Sequence, residues 1–206
     1  MAPTPEEFLA RARELQAVLR ERASQAREGR RLPAQTIADF RKAGFFRMMQ
    51  PARYGGYEMN PRHFYDVVFE IARACPSSGW VLSVVGVHNW QLGLLDDRAQ
   101  REVWGSDPDV LISSSYAPKG AVEPVDGGYR FSGRWQFSSG CDHCDWIFVG
   151  GIIPPAAGDE GPPGITSFLL PRDDYEIVDD WYTTGLQGSG SKSLVVEDAY
   201  VPEYRT

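Results

Sequence analysis

Three cysteines in 206 residues, at positions 75, 141 and 144, are too few and too unevenly spaced for a disulfide framework. Histidine is equally scarce, at positions 63, 88 and 143. Cys141-Asp-His-Cys144 therefore has the Cys-x-x-Cys spacing but no second ligand pair to close a zinc site, and no metal is expected. Positive charge is short as well: 21 Lys and Arg against 28 Asp and Glu leave a formal charge of −7, with no basic run, which argues against a nucleic-acid partner. No apolar run suits a bilayer, since the most apolar segment, Gly79 to Leu95, is interrupted by Ser83, His88, Asn89 and Gln91. Met1-Ala-Pro-Thr-Pro-Glu-Glu7 lacks both the basic start and the apolar stretch of a secretory signal, so a cytoplasmic location is expected.

What is present is enough apolar material for a sizeable core, 42% of the chain. Thr4-Pro5-Glu6-Glu7 reads as a capping box with proline at the first helical position, and Phe8, Ala12, Leu15 and Leu19 then share one face. A second helix is expected from Pro33, burying Ile37 and Phe40 and stopped by Gly44. A third runs from Asn60-Pro61 to Pro76 through Phe64, Val67, Val68 and Ile71, with the Cys75 thiol packed as a small hydrophobe at its end. Gly79 to Leu95 is apolar almost all round and predicts a helix buried on most sides, with His88 inside it. Taken alone, His88 is either a core histidine satisfied by one neighbour or a functional group.

After Trp104-Gly105 the pattern turns to short β-prone runs, 110–115, 129–138, 146–153, 165–170 and 194–196, parted by glycine- and proline-rich turns. The fold class is α+β: an N-terminal helical domain over residues 1–105, then a β-barrel or sandwich domain over 106–206. Pro154 to Gly164 reads as a mobile loop. In Gly133-Arg-Trp-Gln-Phe-Ser-Ser-Gly-Cys-Asp-His-Cys-Asp-Trp146, strand alternation puts Trp135 and Phe137 on one face and Arg134, Gln136 and Ser138 on the other, before a polar loop hinged at Gly140. That loop is either a polar hairpin corner or a ligand-holding turn. Gly185 to Ser193 fails as a phosphate loop, because Ser191 stands where Walker A needs lysine and a strand follows instead of a helix; it is either a plain tight turn between strands or a turn that touches a cofactor.

The order of these motifs, with Trp181-Tyr-x-x-Gly-Leu-x-Gly-Ser-Gly-Ser191 and Val195-Val-Glu-Asp-x-x-Val-Pro202 following, resembles the flavin-dependent monooxygenase branch of the acyl-CoA dehydrogenase fold. Gly79 to Trp90, Ile112 to Pro118 and Ser138 to His143 look most like the oxygenase components of two-component phenolic-steroid hydroxylases. The resemblance implies reduced FMN, with FAD as the alternative, delivered by an NADH-dependent reductase. It also implies oxygen, a flavin C4a-hydroperoxide, ortho-hydroxylation of a phenol to a catechol, and a homotetramer. It assigns His88 and Ser114 to the substrate side, Ser139 to flavin N5, Trp80 and Phe137 to aromatic walls, and Gly140 to the cofactor loop. Competing readings are a true acyl-CoA dehydrogenase with a carboxylate base, or a fragment that binds a partner chain. Gln187 and Ser189 depart from the Arg and Thr common in that branch. Relatives continue into a C-terminal helical bundle that this sequence does not reach by Thr206, so an apolar helix-packing face is expected to stand exposed.

Overall fold

The computed structural model describes residues 3–155 and 163–206. Most of the loop expected between Pro154 and Gly164 therefore lies outside the described residues. The first helix, α1 (Pro5–Glu21), starts at the expected capping box: Glu7 N–H donates to Thr4 Oγ1 at 3.3 Å and Thr4 N–H donates to the Glu7 carboxylate at 2.7 Å. A short helix α2 (Ala23–Gly29), ended by Arg30 in the left-handed region, was not legible in the sequence. Helix α3 (Ala34–Ala43) stops at Gly44 with φ 81°, and α4 (Pro61–Ala74) is capped by Asn60 accepting from Arg62 N–H at 2.9 Å. Helix α5 (Pro76–Leu92) and α6 (Asp97–Trp104) complete the helical part, whose core gathers Phe8, Phe40, Phe45, Phe64, Ile71, Val81, Leu82 and Val85.

Helix α5 corrects one expectation. It buries Val81, Leu82, Val85, His88, Asn89 and Leu92, yet Trp80 and Trp90 are about half exposed, so apolar residues all round do not here mean burial on most sides. Tyr65 and Phe69 on α4 and Leu94 beyond α5 are exposed too.

Among the described residues six strands follow: β1 (Ile112–Val125), β2 (Gly128–Ser138), β3 (Trp146–Ile153), β4 (Gly164–Pro171), β5 (Glu176–Val178) and β6 (Lys192–Pro202). They form one sheet in the order β4-β3-β1-β2-β6-β5, in which only β1 and β3 run parallel. The long β1 serves two half-sheets, pairing with β3 through Ile112–Ser115 and with β2 through Ala121–Val125. The halves close on each other as a sandwich. Phe131 of β2 stacks on Phe168 of β4 at 4.3 Å although two strands separate them in the order, and the Trp135 indole N–H is shared between the carbonyls of Ala117 and Gly150 at 3.0 and 2.9 Å.

A β-bulge decides what the sheet presents to α5. Trp135 pairs with Leu194 but Ser138 pairs with Lys192, so Gln136 and Phe137 stand opposite a single residue, and Phe137 takes φ 68°. The extra residue breaks the two-residue period. Trp135 is fully buried and Phe137 is 67% exposed, which overturns the expectation that they share a face, while Ser138 and Ser139 turn inward. Gly140 follows at φ 72° and donates its N–H to Ser189 O at 2.9 Å, opening a 3-10 turn over Cys141–His143. Asp142 and Lys192 pin that turn to β6 through a nearly buried ion pair of 2.8 Å. The thiols of Cys141 and Cys144 donate to Gly190 O and Gly140 O, and burial raises both, Cys141 to about 12, so they act as protonated turn-closing donors.

A Cβ on Gly140 would lie 2.9 Å from Val81 Cγ1 and 3.2 Å from Val85 Cγ2 of α5. Gly140→Ala is expected to cost about 2–4 kcal/mol, combining left-handed backbone strain with overpacking. Urea denaturation measures this, and an unchanged midpoint would contradict the seating of the turn on α5.

Candidate active site

The bulge delivers Ser139 to the N-terminal half of α5. Its Oγ accepts the Trp80 indole N–H at 2.8 Å and lies 2.7 Å from Ser191 Oγ, which in turn lies 2.7 Å from Ser189 Oγ. Three nearly buried hydroxyls thus form a chain, with the exposed Trp80 bonded at its outer end and the exposed Phe137 two residues before Ser139. Trp181 packs edge-on against Phe137 at 6.2 Å. Ser191 and Ser189 belong to the Gly-rich turn that reads from the sequence as either a plain turn or one that touches a cofactor. Nothing in the local pattern announced that it would return to Ser139.

The second cluster lies two turns further along α5. His88 is 1% exposed; its Nδ1 is 3.0 Å from Tyr116 Oη, and its Nε2 is enclosed without a partner among the described residues. Tyr116 also donates to Gln91 Oε1, and Gln91 Nε2 donates to Ser167 Oγ at 3.2 Å. The imidazole is edge-on to both Tyr116 and Phe148, at 5.9 Å each. Burial lowers His88 to about 3, with Gln91 acting in the opposite sense. Burial raises Tyr116 to about 12, against the pull of Ser114 and Gln91. Both groups are neutral at working pH. Along β1, alternation sends Ser113 toward Ser138 Oγ at 3.1 Å and leaves Ser114 with Tyr116.

The six residues singled out from the sequence therefore fall into two groups along α5: Trp80, Ser139, Phe137 and Gly140 toward its start, His88 and Ser114 further along. Eight residues separate Trp80 from His88, about 12 Å along the helix. The half-buried Val84 and Val87 lie in the stretch between them. Gly140 supports Ser139 through its backbone and its contact with α5. Tyr116 and Gln91 were not singled out, because a tyrosine on a strand and a glutamine on an apolar helix carry no local sign that they share a hydrogen bond.

Because His88 and His143 are both lowered in the fold by burial, unfolding takes up protons once the pH drops below the ordinary histidine range. The stability that neutral His88 contributes is fully present above about pH 6.5 and lost as pH falls toward about 3, and His143 acts in the same direction. Between pH 6.5 and 5 the unfolding free energy should fall by up to about 1.4 kcal/mol per pH unit through His88. Urea melts measure this slope, and His88→Gln should flatten it; an unchanged slope in that variant would contradict the neutral, buried imidazole.

Comparison with known proteins gives the family of the chain. The chain is 51% identical over 187 residues, 91% of its length, to the flavin-dependent monooxygenase oxygenase subunit HsaA of Rhodococcus jostii (strain RHA1), covering 48% of that protein. It is 39% identical over 188 residues, 91% of its length, to the FADH(2)-dependent resorcinol hydroxylase oxygenase component of Rhizobium sp. (strain MTP-10005), covering 46% of that protein. The crystal structure of 3-HSA hydroxylase from Rhodococcus sp. RHA1 superposes with a TM-score of 0.92 at 48% identity, over 97% of this chain and 51% of that one. The chain thus spans about half the length of the curated relatives it matches. Residues 3–105 match the acyl-CoA dehydrogenase N-terminal domain. With that domain leading into the folded sheet that carries Ser139, the chain belongs to the acyl-CoA dehydrogenase family.

Proposed function

We propose that the protein is the oxygenase component of a two-component, reduced-flavin-dependent monooxygenase that hydroxylates a phenol at the ortho position to give a catechol. The observation that carries this reading is the nearly buried Ser139 hydroxyl, held by Trp80 and Ser191, with Trp80 and, two residues before the serine, Phe137 both exposed. Those residues fit a flat, polar-edged ring. Phe137 is kept outward at a backbone angle that a bulky side chain rarely adopts, and with Trp80 it offers apolar area for the ring to cover. Trp80, Phe137, Ser139 and Gly140 would hold a reduced flavin, FMN or alternatively FAD. When bound, that group supplies two electrons to oxygen, one atom of which enters the phenol while the other leaves as water.

The chain's own residues bind, orient and exclude. Trp80 occupies one lone pair of Ser139 and Ser191 contacts the hydroxyl from the buried side, so its position is fixed before any ligand arrives. The half-buried Val84 and Val87 of α5, between the clusters, would keep water from one face of a bound ring. His88, Tyr116 and Ser114 serve the phenol end. Against a phenol near its ordinary value of about 10, an imidazole near 3 leaves a gap of about 7 pH units, so His88 does not take the phenol's proton outright and acts by orienting its neighbours. A steroid-derived phenol is the favoured substrate, as the sequence resemblance implies, and the relatives include a 3-HSA hydroxylase and the oxygenase component of a resorcinol hydroxylase. An NADH-dependent reductase as flavin supplier, a homotetrameric assembly and a cytoplasmic location complete the proposal. No helix among the described residues is long and apolar enough to cross a membrane.

The complete protein, given reduced FMN, labelled oxygen and a phenol, should place one labelled oxygen atom in a catechol per turnover. Ser139→Ala should divert flux to hydrogen peroxide and lower catechol yield about tenfold, the worth of one hydrogen bond in a dry site. Peroxide alone from the unaltered protein would overturn the proposal.

A further inference from the structure

We infer that Tyr116, not His88, is the group that meets the phenolic ligand, and that it does so as a hydrogen-bond acceptor whose direction is fixed by His88, Gln91 and Ser167. This rests on the phenol-binding reading above. The imidazole offers no open edge: His88 is 1% exposed, Nδ1 faces Tyr116 and Nε2 is enclosed. Tyr116 stands in front of it, 48% exposed, with its ring edge-on to the imidazole.

The directions follow from counting protons. Gln91 Nε2 donates to Ser167 Oγ, which turns Gln91 Oε1 toward Tyr116. A tyrosine hydroxyl has one proton, and here it goes to Gln91 Oε1. The contact at 3.0 Å to His88 must then run the other way, with Nδ1–H donating to Tyr116 Oη. One lone pair of Oη is used by His88 and one remains. The site therefore presents an acceptor, and it favours a ligand oxygen that still carries a proton over an ether or a phenolate. A phenol held in this way remains a phenol until it reacts, and its proton already points at a polarised acceptor. Turning the Gln91 amide over would reverse every bond in this chain and make Tyr116 donate to His88.

Equilibrium binding to the complete protein tests this without turnover, using 4-nitrophenol and 4-nitroanisole as probes at a pH where free nitrophenol is neutral. The unaltered protein should bind nitrophenol about tenfold more tightly than nitroanisole, as expected for one hydrogen bond made or missed. Tyr116→Phe should bring that ratio close to one while the thermal midpoint shows the protein folded. Gln91→Leu, which frees the tyrosine proton to point outward, should also lower the ratio and serves if the first variant does not fold. A ratio kept in both variants overturns the role of Tyr116. A preference for nitroanisole in the unaltered protein overturns the acceptor role of Tyr116. No discrimination in the unaltered protein removes the phenol-site reading, and the inference with it.

Discussion

The contact on which the site depends is the seating of the bulged loop, Ser138 to Cys144, against one face of helix α5. Without it the chain would hold a helical cluster and a sandwich with nothing chemical between them. The bulge at Gln136 and Phe137 rotates the strand so that Ser139 enters the seam, and Gly140 lets the backbone approach Val81 and Val85 closely. The Trp80 indole then closes the joint at 2.8 Å from Ser139 Oγ. Further along the same helix, His88 and Gln91 reach β1 through Tyr116. One helix thus sets the spacing of both clusters, and a shift of α5 would displace Ser139 and Tyr116 together.

Most of the polar groups at the seam are neutral. Serine hydroxyls, an indole, a depressed histidine and a raised tyrosine carry no charge near pH 7, so they can be buried at the cost of hydrogen bonds alone. The charges stand further back. Lys192 meets Asp142 and Asp179, and Arg30 reaches Asp179, bracing the loop from behind at the junction of α2 and β6. This division suits a site that must exclude water while keeping its geometry, because the rigid ionic bracing lies outside the space where a ligand would sit.

How much of this the sequence disclosed depended on the range of the signal. Capping at Thr4, the stop at Gly44 and the start at Asn60 are written in adjacent residues and were legible. Helices α2 and α6 and strand β5 are short and owe their form to what they pack on, so periodicity did not mark them. The face of Phe137 was misread because a single inserted residue reverses alternation, and the bulge shows only when the partner strand is known. His88 and Ser139 drew attention through resemblance, since a histidine in an apolar helix is chemically ambiguous. Tyr116, Gln91, Ser167, Ser189 and Ser191 are joined by contacts spanning up to 76 positions in the chain, which no local pattern encodes.

The measurement that bears most directly on this account is the location of the flavin in the complete protein, by crystallography with FMN bound. The account places the ring against Trp80 and Phe137, with N5 in hydrogen-bonding reach of Ser139 Oγ and the Tyr116 side left open for a phenol. A ring bound away from the seam between α5 and the bulged loop, with Ser139 still occupied by Trp80 and Ser191 alone, would contradict it.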